Sequence, residues 1–441
     1  MGELKRALNL WQAITFGMGV ILGAGIYVVI GRTAALAGPS IWLSVVVAGS
    51  VAFFTGLSYA ELAGMYPKAS SSYYYIRKAI PRRETLAFVV GWMIFFEAAS
   101  GASTAAVGFT KYFLELFQFP SWLPQNLSFI LVAITVIIIF SIVNYIGISE
   151  SSKLNTIFTL IGVSGLILVI IMGFLFGREL PAYFDPPPMG LMGVFNGAAL
   201  IFFAYVGFEL MATTSEETID AKRTMPKAII IALAICGSLY ILISFAVVKL
   251  VPWQRLAVAG APLADAVGTV LGSSGWYVLA TVALFATSNA VLGFLVSSSR
   301  IAYGMASDGI IHRKLASIHG VRKTPHNAII LAGMVAVFEI VISSFIGGDF
   351  ALDIVAKASN LGCLIAFIFI NSAVVLLRKS EVERPFKIPF TILGVPVFPI
   401  LGALLSVAMI AVAFHEIIVW AITLVILVLG FVVKKQIIKT R

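Results

Sequence analysis

Two short runs of main chain and two acids carry the chemistry open to this sequence. Ile21–Leu22–Gly23–Ala24–Gly25–Ile26 puts three residues with little or no side chain inside an apolar stretch from about Trp11 to Ile30. That stretch is long enough to cross a bilayer. Glycine has the largest backbone entropy cost in a helix, so the run invites a break. Lipid cannot satisfy the N–H and C=O groups that a break frees; they must be buried in protein, wetted or bound to a ligand. Amides at the start of a half-helix attract an anion, and carbonyls at the end of one attract a cation. A second run, Phe202–Phe203–Ala204–Tyr205–Val206–Gly207–Phe208–Glu209, sets a Gly and an acid at similar depth. Two such breaks meeting in mid-bilayer would offer bare main-chain poles to a zwitterion, with the α-carboxylate of an amino acid on the first. Small residues also let helices approach closely, so plain packing is the alternative.

Acids at membrane depth are rare, costly and usually functional. Glu97 lies in Phe95–Phe96–Glu97–Ala98–Ala99–Ser100, and Glu209 follows the second break. An acid in low dielectric can hold a proton and carry it through a cycle, or can sit neutral as a structural hydrogen-bond partner. Glu61 reads as a pin near the end of its span. Ser100, Ser103 and Thr104 share one helical stripe and can line a side-chain pocket. Thr287–Ser288–Asn289 is a polar cluster in an apolar run. Hydroxyls of Thr287 and Ser288 suit a sodium ion, and interhelical hydrogen bonding is the alternative. His312, His319 and His326 have a spacing that suits no single metal site, and no metal or cofactor is expected. Cys236 and Cys363 read as small core residues.

The elements that must position these groups are membrane spans. The 441 residues are 60% hydrophobic and only 11% charged, against about a quarter charged in a soluble domain. The hydropathy predicts one polytopic domain of twelve spans, at 11–34, 41–64, 86–117, 126–146, 153–176, 191–212, 226–251, 276–306, 326–346, 351–377, 390–411 and 415–433. No cleavage pattern follows the first span, so it reads as retained. Of the 30 Lys and Arg, 24 fall in alternate connections together with both tails, and six fall in the others. The positive-inside rule then places both termini in the cytoplasm of a cell-membrane protein. The net charge of +10 reads as topology and lipid anchoring, with Lys434, Lys435, Lys439 and Arg441 as a terminal anchor, and not as a nucleic-acid surface. The run Glu216–Glu217–Asp220–Lys222–Arg223 reads as a charged surface. Five helices separate the two breaks. Five is odd, so the repeats about 11–176 and 191–377 would be inverted, with 390–433 peripheral.

Five motifs lie along the chain: Gly23–Ala24–Gly25–Ile26, Ser58–Tyr59–Ala60–Glu61–Leu62, Phe203–Ala204–Tyr205–Val206–Gly207–Phe208–Glu209, Pro226–Lys227–Ala228–Ile229 and Ser299–Arg300–Ile301–Ala302–Tyr303–Gly304. In these the sequence resembles the amino acid–polyamine–organocation (APC) superfamily, above all permeases akin to cationic amino acid transporters. The resemblance implies an all-α integral membrane protein of the leucine-transporter type, with a 5+5 inverted repeat, two peripheral helices and discontinuous first and sixth helices. It implies secondary transport by alternating access. The α-carboxylate would meet amides around Ala24 and Gly25, with Gly23 and Ile26 beside them. The α-ammonium would meet carbonyls of Ile21, Phe203 and Val206, next to Ala204, and Phe203 would close as an aromatic gate. Glu97 or Glu209 would couple a proton. Many proton-coupled relatives carry a Lys in the fifth helix, where this chain has Gly162 and no Lys from Leu154 to Gly177. A carboxylate proton, sodium or ion-free exchange therefore remain open. A polyamine or amine carrier and a non-transporting amino acid sensor are the alternatives. No nucleophile, acid and base constellation points to an enzyme.

Overall fold

The computed structural model describes residues 3–117, 124–178, 183–347, 349–413 and 415–439. The chain is all but entirely helical. In order come α1 (Leu10–Ile21), α2 (Ala24–Ala37), α3 (Ile41–Met65), the short α4 (Ser71–Ala79), α5 (Glu84–Leu116), α6 (Gln125–Ile146), α7 (Ile148–Phe176) and α8 (Gly190–Ile201). Then follow α9 (Ala221–Leu250), the short α10 (Trp253–Val258), α11 (Pro262–Ser307), α12 (His326–Ile346), α13 (Asp349–Leu376), α14 (Val397–Ala413) and α15 (Ile417–Lys439). Among the described residues, eleven helical stretches are long and apolar enough to cross a membrane, and Val397–Val412 is a shorter one.

Each expected span coincides with a helix or a broken pair of helices, and the differences have local causes. The span expected over 390–411 begins instead with a hairpin, β1 (Thr391–Ile392) against β2 (Val395–Pro396). Its two central residues, Leu393 and Gly394, both have positive φ, 50° and 81°. That is the turn whose twist matches a two-residue hairpin. The helix can start only after Pro396. The short α4 and α10, absent from the sequence reading, cap opposite ends of the bundle.

Small residues set the packing. A methyl added at Gly23 would lie 2.3 Å from Ala290 Cβ, and one at Gly304 2.5 Å from the Ser70 amide. The long helices α5 and α11 pack along each other, as do α3 and α9. Buried polar side chains join the helices between these contacts. Asn371 accepts from Ser58 and donates to Thr55, tying α13 to α3. Asn289 donates to Thr159 and to the Asn155 carbonyl, tying α11 to α7.

The basic end of the bundle, where α4 and the connections after α11 and α13 lie, is closed by ions. Glu61 is fully buried and accepts from Arg378, Arg384 and the Ile388 amide. This is the pin read from the sequence, and it holds the segment leading to β1. The expected charged surface at Glu216–Arg223 is a different matter. Glu217 has no exposed surface and takes both oxygens to Arg300, itself fully buried, at 2.9 Å each. Arg300 also donates to Asn144 and Ser299. The main chain nearby is held by the N-terminal segment: the amides of Ala7 and Leu8 donate to the Glu217 carbonyl, and Ile219 donates to Leu8. Of the terminal basic cluster, Lys434 reaches Thr85 and stands over the Phe88 ring. Arg441 and the side chains of Lys435 and Lys439 lie outside the described residues.

Removing one member of a buried ion pair leaves an uncompensated charge, at a cost of about 3–5 kcal/mol. Glu217→Gln is therefore expected to lower the melting temperature of the detergent-solubilised protein strongly. Replacing both partners, as Glu217→Gln with Arg300→Met, is expected to recover much of the loss. Melts by intrinsic fluorescence check this.

Candidate functional site

The main-chain run singled out first is a break. α1 ends at Ile21 and α2 begins at Ala24; the Leu22 amide still donates to the Met18 carbonyl, and Gly23 stands between the two helices. The first amides of a helix have no intrahelical acceptor. At α2 these belong to Ala24, Gly25 and Ile26, and no side chain caps them. Gly25 and Ile26 are buried there; the side chain of Ala24 lies outside the described atoms. The second run is also broken. α8 gives way to a single 3-10 turn at Phe202–Ala204, then to turns, and a 3-10 segment resumes over Glu209–Glu217. Gly207 has φ of +122°, a conformation that side chains disfavour.

The two breaks touch. A methyl on Gly25 would lie 2.5 Å from Ala204 Cα and 3.1 Å from its amide, so this contact is main chain against main chain. A methyl on Gly207 would meet Val20 at 2.5 Å. Tyr240 of α9, fully buried, points its hydroxyl between the breaks, 2.7 Å from the Ile21 carbonyl and 3.0 Å from the Ala204 carbonyl. One hydroxyl hydrogen is thus shared across carbonyl poles of both broken helices. Phe203 is partly exposed while Phe202, Ala204 and Val206 are buried.

Glu97 and Glu209 come together. A carboxylate oxygen of each and the thiol sulfur of Cys363 lie within 4.8 Å of one another, and all three side chains are buried. The Gly207 amide, freed by the break, donates to both oxygens of Glu209 at 3.0 Å. Glu209 thus accepts from an amide that the break frees. One oxygen of Glu97, Oε2, is buried without a hydrogen-bond partner.

Other expected residues stand apart from the breaks. Ser100 donates to Glu339 of α12 at 2.9 Å, and Ser103 to its other oxygen. The serine stripe thereby joins α5 to α12. Thr287 bonds the Ala283 and Leu284 carbonyls of its own helix, with Ser288 buried beside it. The Gly162 carbonyl accepts from the Tyr27 hydroxyl at 2.9 Å.

Three residues of this arrangement were not singled out from the sequence. Glu339 carried the same signal as Glu97, an acid in the middle of an apolar run, and could have been found. Tyr240 was one of 13 tyrosines, and nothing local marked it. Cys363 is buried as expected, but its neighbours come from α5 and the segment after α8, out of reach of sequence spacing.

The chain matches the amino acid permease family over residues 8–433. It is 32% identical to the branched-chain amino acid permease BcaP of Bacillus subtilis, across 91% of this chain and 87% of the relative. It is also 32% identical to the methylthioribose transporter of the same organism, with the same coverage. Similarity to the vacuolar cationic amino acid transporter 2 of Arabidopsis thaliana is 30% over 85% of this chain, which spans 60% of that longer protein. The helices, the match along nearly all of the sequence and these relatives lead to one conclusion: the chain belongs to the amino acid permease family of the APC superfamily and is a multi-span membrane transporter of amino acids.

Proposed function

We propose that the transport runs by alternating access on twelve spans, with substrate held between the breaks at 21–25 and 202–207. The observation that carries this reading is the uncapped start of α2, buried and pressed against the Ala204 main chain. A buried, unpaired amide is costly, and a carboxylate at a helix N-terminus relieves that cost and favours the helix dipole as well. The Ile21, Phe203 and Val206 carbonyls would then face the α-ammonium, with Phe203 as gate. A decarboxylated amine would leave the amides unserved, so the carrier prefers amino acids to polyamines.

Pairing between helices supports the inverted repeat. α2 packs on α8, α3 on α9, α5 on α11 and α6 on α12. Counted as spans, these pair first with sixth, second with seventh, third with eighth and fourth with ninth. A pseudo-two-fold between two five-helix halves produces that pattern. The basic end would face the cytoplasm of the cell membrane, with both termini on that side. At the opposite end Arg32 of α2 meets Asp353 of α13 at 3.5 Å, with both side chains partly exposed. Such a contact can part when the outer side opens.

For coupling, the proposal is a proton on the Glu97–Glu209 pair. Neither acid is among the described ion pairs, and two carboxylates this close in low dielectric cannot both stay bare. The hydroxyl of Thr287 faces its own helix, which favours a proton over sodium at Thr287 and Ser288.

Three measurements test these readings. In proteoliposomes, a radiolabelled panel should include branched-chain and cationic amino acids, the matching decarboxylated amines and methylthioribose. At least one amino acid should exchange while its amine does not; movement of amines or the sugar alone would overturn the carboxylate cradle. Tyr240→Phe leaves two buried carbonyls without their donor, at about 1–3 kcal/mol. The unliganded variant should therefore melt lower, and a bound amino acid should stabilise it more than it does the native chain, because its ammonium meets the Ile21 carbonyl that has lost its donor. Glu97→Gln should abolish uptake driven by an inward proton gradient while leaving exchange, and replacing sodium by potassium should change nothing. Sodium-dependent uptake would reject proton coupling.

A further inference from the structure

The acid pair has a third member with no part in the transport reading. We propose that Glu97, Glu209 and Cys363 form a site for one borderline divalent cation of the zinc or cadmium type, and that filling it arrests the carrier. The geometry rests on three elements. Glu97 comes from α5, Glu209 from the 3-10 segment after α8, and Cys363 from α13. Their ligand atoms lie within 4.8 Å of one another. In tetrahedral geometry, zinc bonds of about 2.0–2.2 Å to oxygen and 2.3 Å to sulfur put ligand atoms roughly 3.3–3.7 Å apart. The site thus needs closure by up to roughly 1–1.5 Å.

The surroundings favour a cation independently of the acids being close. Glu97 Oε2 is buried and has no hydrogen-bond partner, so an acceptor is held ready without a donor. Glu209 is aimed by the Gly207 amide, bonded at 3.0 Å to each oxygen, as outer-shell donors orient metal ligands. Two carboxylates and a thiolate neutralise a dication with charge to spare, and the sulfur selects borderline metals over calcium or magnesium, which take oxygen. Binding expels the thiol proton, and any proton on the carboxyls, to solvent. The site also joins Glu209, on the broken sixth span, to α5 and α13, and in the cycle proposed here the broken spans rock against the other helices. A metal bonded to all three staples them.

The test uses the full chain, purified and then reconstituted, with cadmium as probe. Equilibrium dialysis should find one cadmium per chain, with an ultraviolet thiolate-to-cadmium band. Cys363→Ser should lose the band and bind at least about tenfold more weakly, while Cys236→Ser, at the other cysteine, should keep both. Cadmium added during amino acid exchange should stop flux, a chelator should restore it, and Cys363→Ser should resist. No bound cadmium, or a band that survives Cys363→Ser and disappears in Cys236→Ser, would overturn the site. Binding without arrest would overturn the staple. Flux without cadmium is read in the same vesicles, so failure of this inference and failure of the transport reading are distinguishable.

Discussion

A helix interrupted inside a dry bundle leaves main-chain donors and acceptors that something must meet, and this molecule is arranged around that demand. The breaks at Leu22–Gly23 and at 202–207 are met from inside the protein in part only. Tyr240 serves one carbonyl from each, and Glu209 takes the Gly207 amide. The start of α2 has no side-chain cap. Part of the carbonyl pole is thus bridged, and the proposed anion site is the start of α2. The absence of side chains at Gly23 and Gly25 keeps those groups within reach of each other, since even one methyl on Gly25 would strike the Ala204 main chain.

The buried acids divide by how they are balanced. Glu61 and Glu217 are matched by arginines at the basic end and so hold structure. Glu339 is bonded by two serine hydroxyls and joins two helices without a counter-ion among the described ion pairs. Among the described residues Glu97 and Glu209 have no ion pair; they lie against each other and a thiol, with the Gly207 amide donating to Glu209. Function is proposed where compensation is least complete, which is where a proton or a small cation can still change the energy of the site.

The architecture was largely legible in the sequence because span length, small-residue runs and Lys/Arg asymmetry are properties of the chain itself. Gly23–Ala24–Gly25 marked the first break, and Gly207 with Glu209 the second. What stayed hidden depended on which face meets which neighbour. Ser100 was placed on a polar stripe, but the stripe faces α12 and Glu339. Thr287 was weighed as a sodium ligand against bonding between helices, and its hydroxyl donates to the carbonyl four residues back in its own helix. Glu217 read as surface because its run is charged; its partner Arg300 lies 83 positions away, and no local pattern announces that pair. The Phe390–Pro396 segment was taken into a span because its residues are apolar, although Leu393–Gly394 turns the chain back.

The bridge between Leu8 and Thr218 has a consequence for biosynthesis. Leu8 pairs with Thr218, so the segment around Leu8 cannot dock until more than two hundred further residues have followed. At translation rates of about 5–20 residues per second, that delay is roughly 10–40 seconds. Throughout that interval the leading segment hangs from the nascent bundle with its main-chain partners unmade. The basic end of the carrier is thus completed late, by a segment synthesised well before its partner.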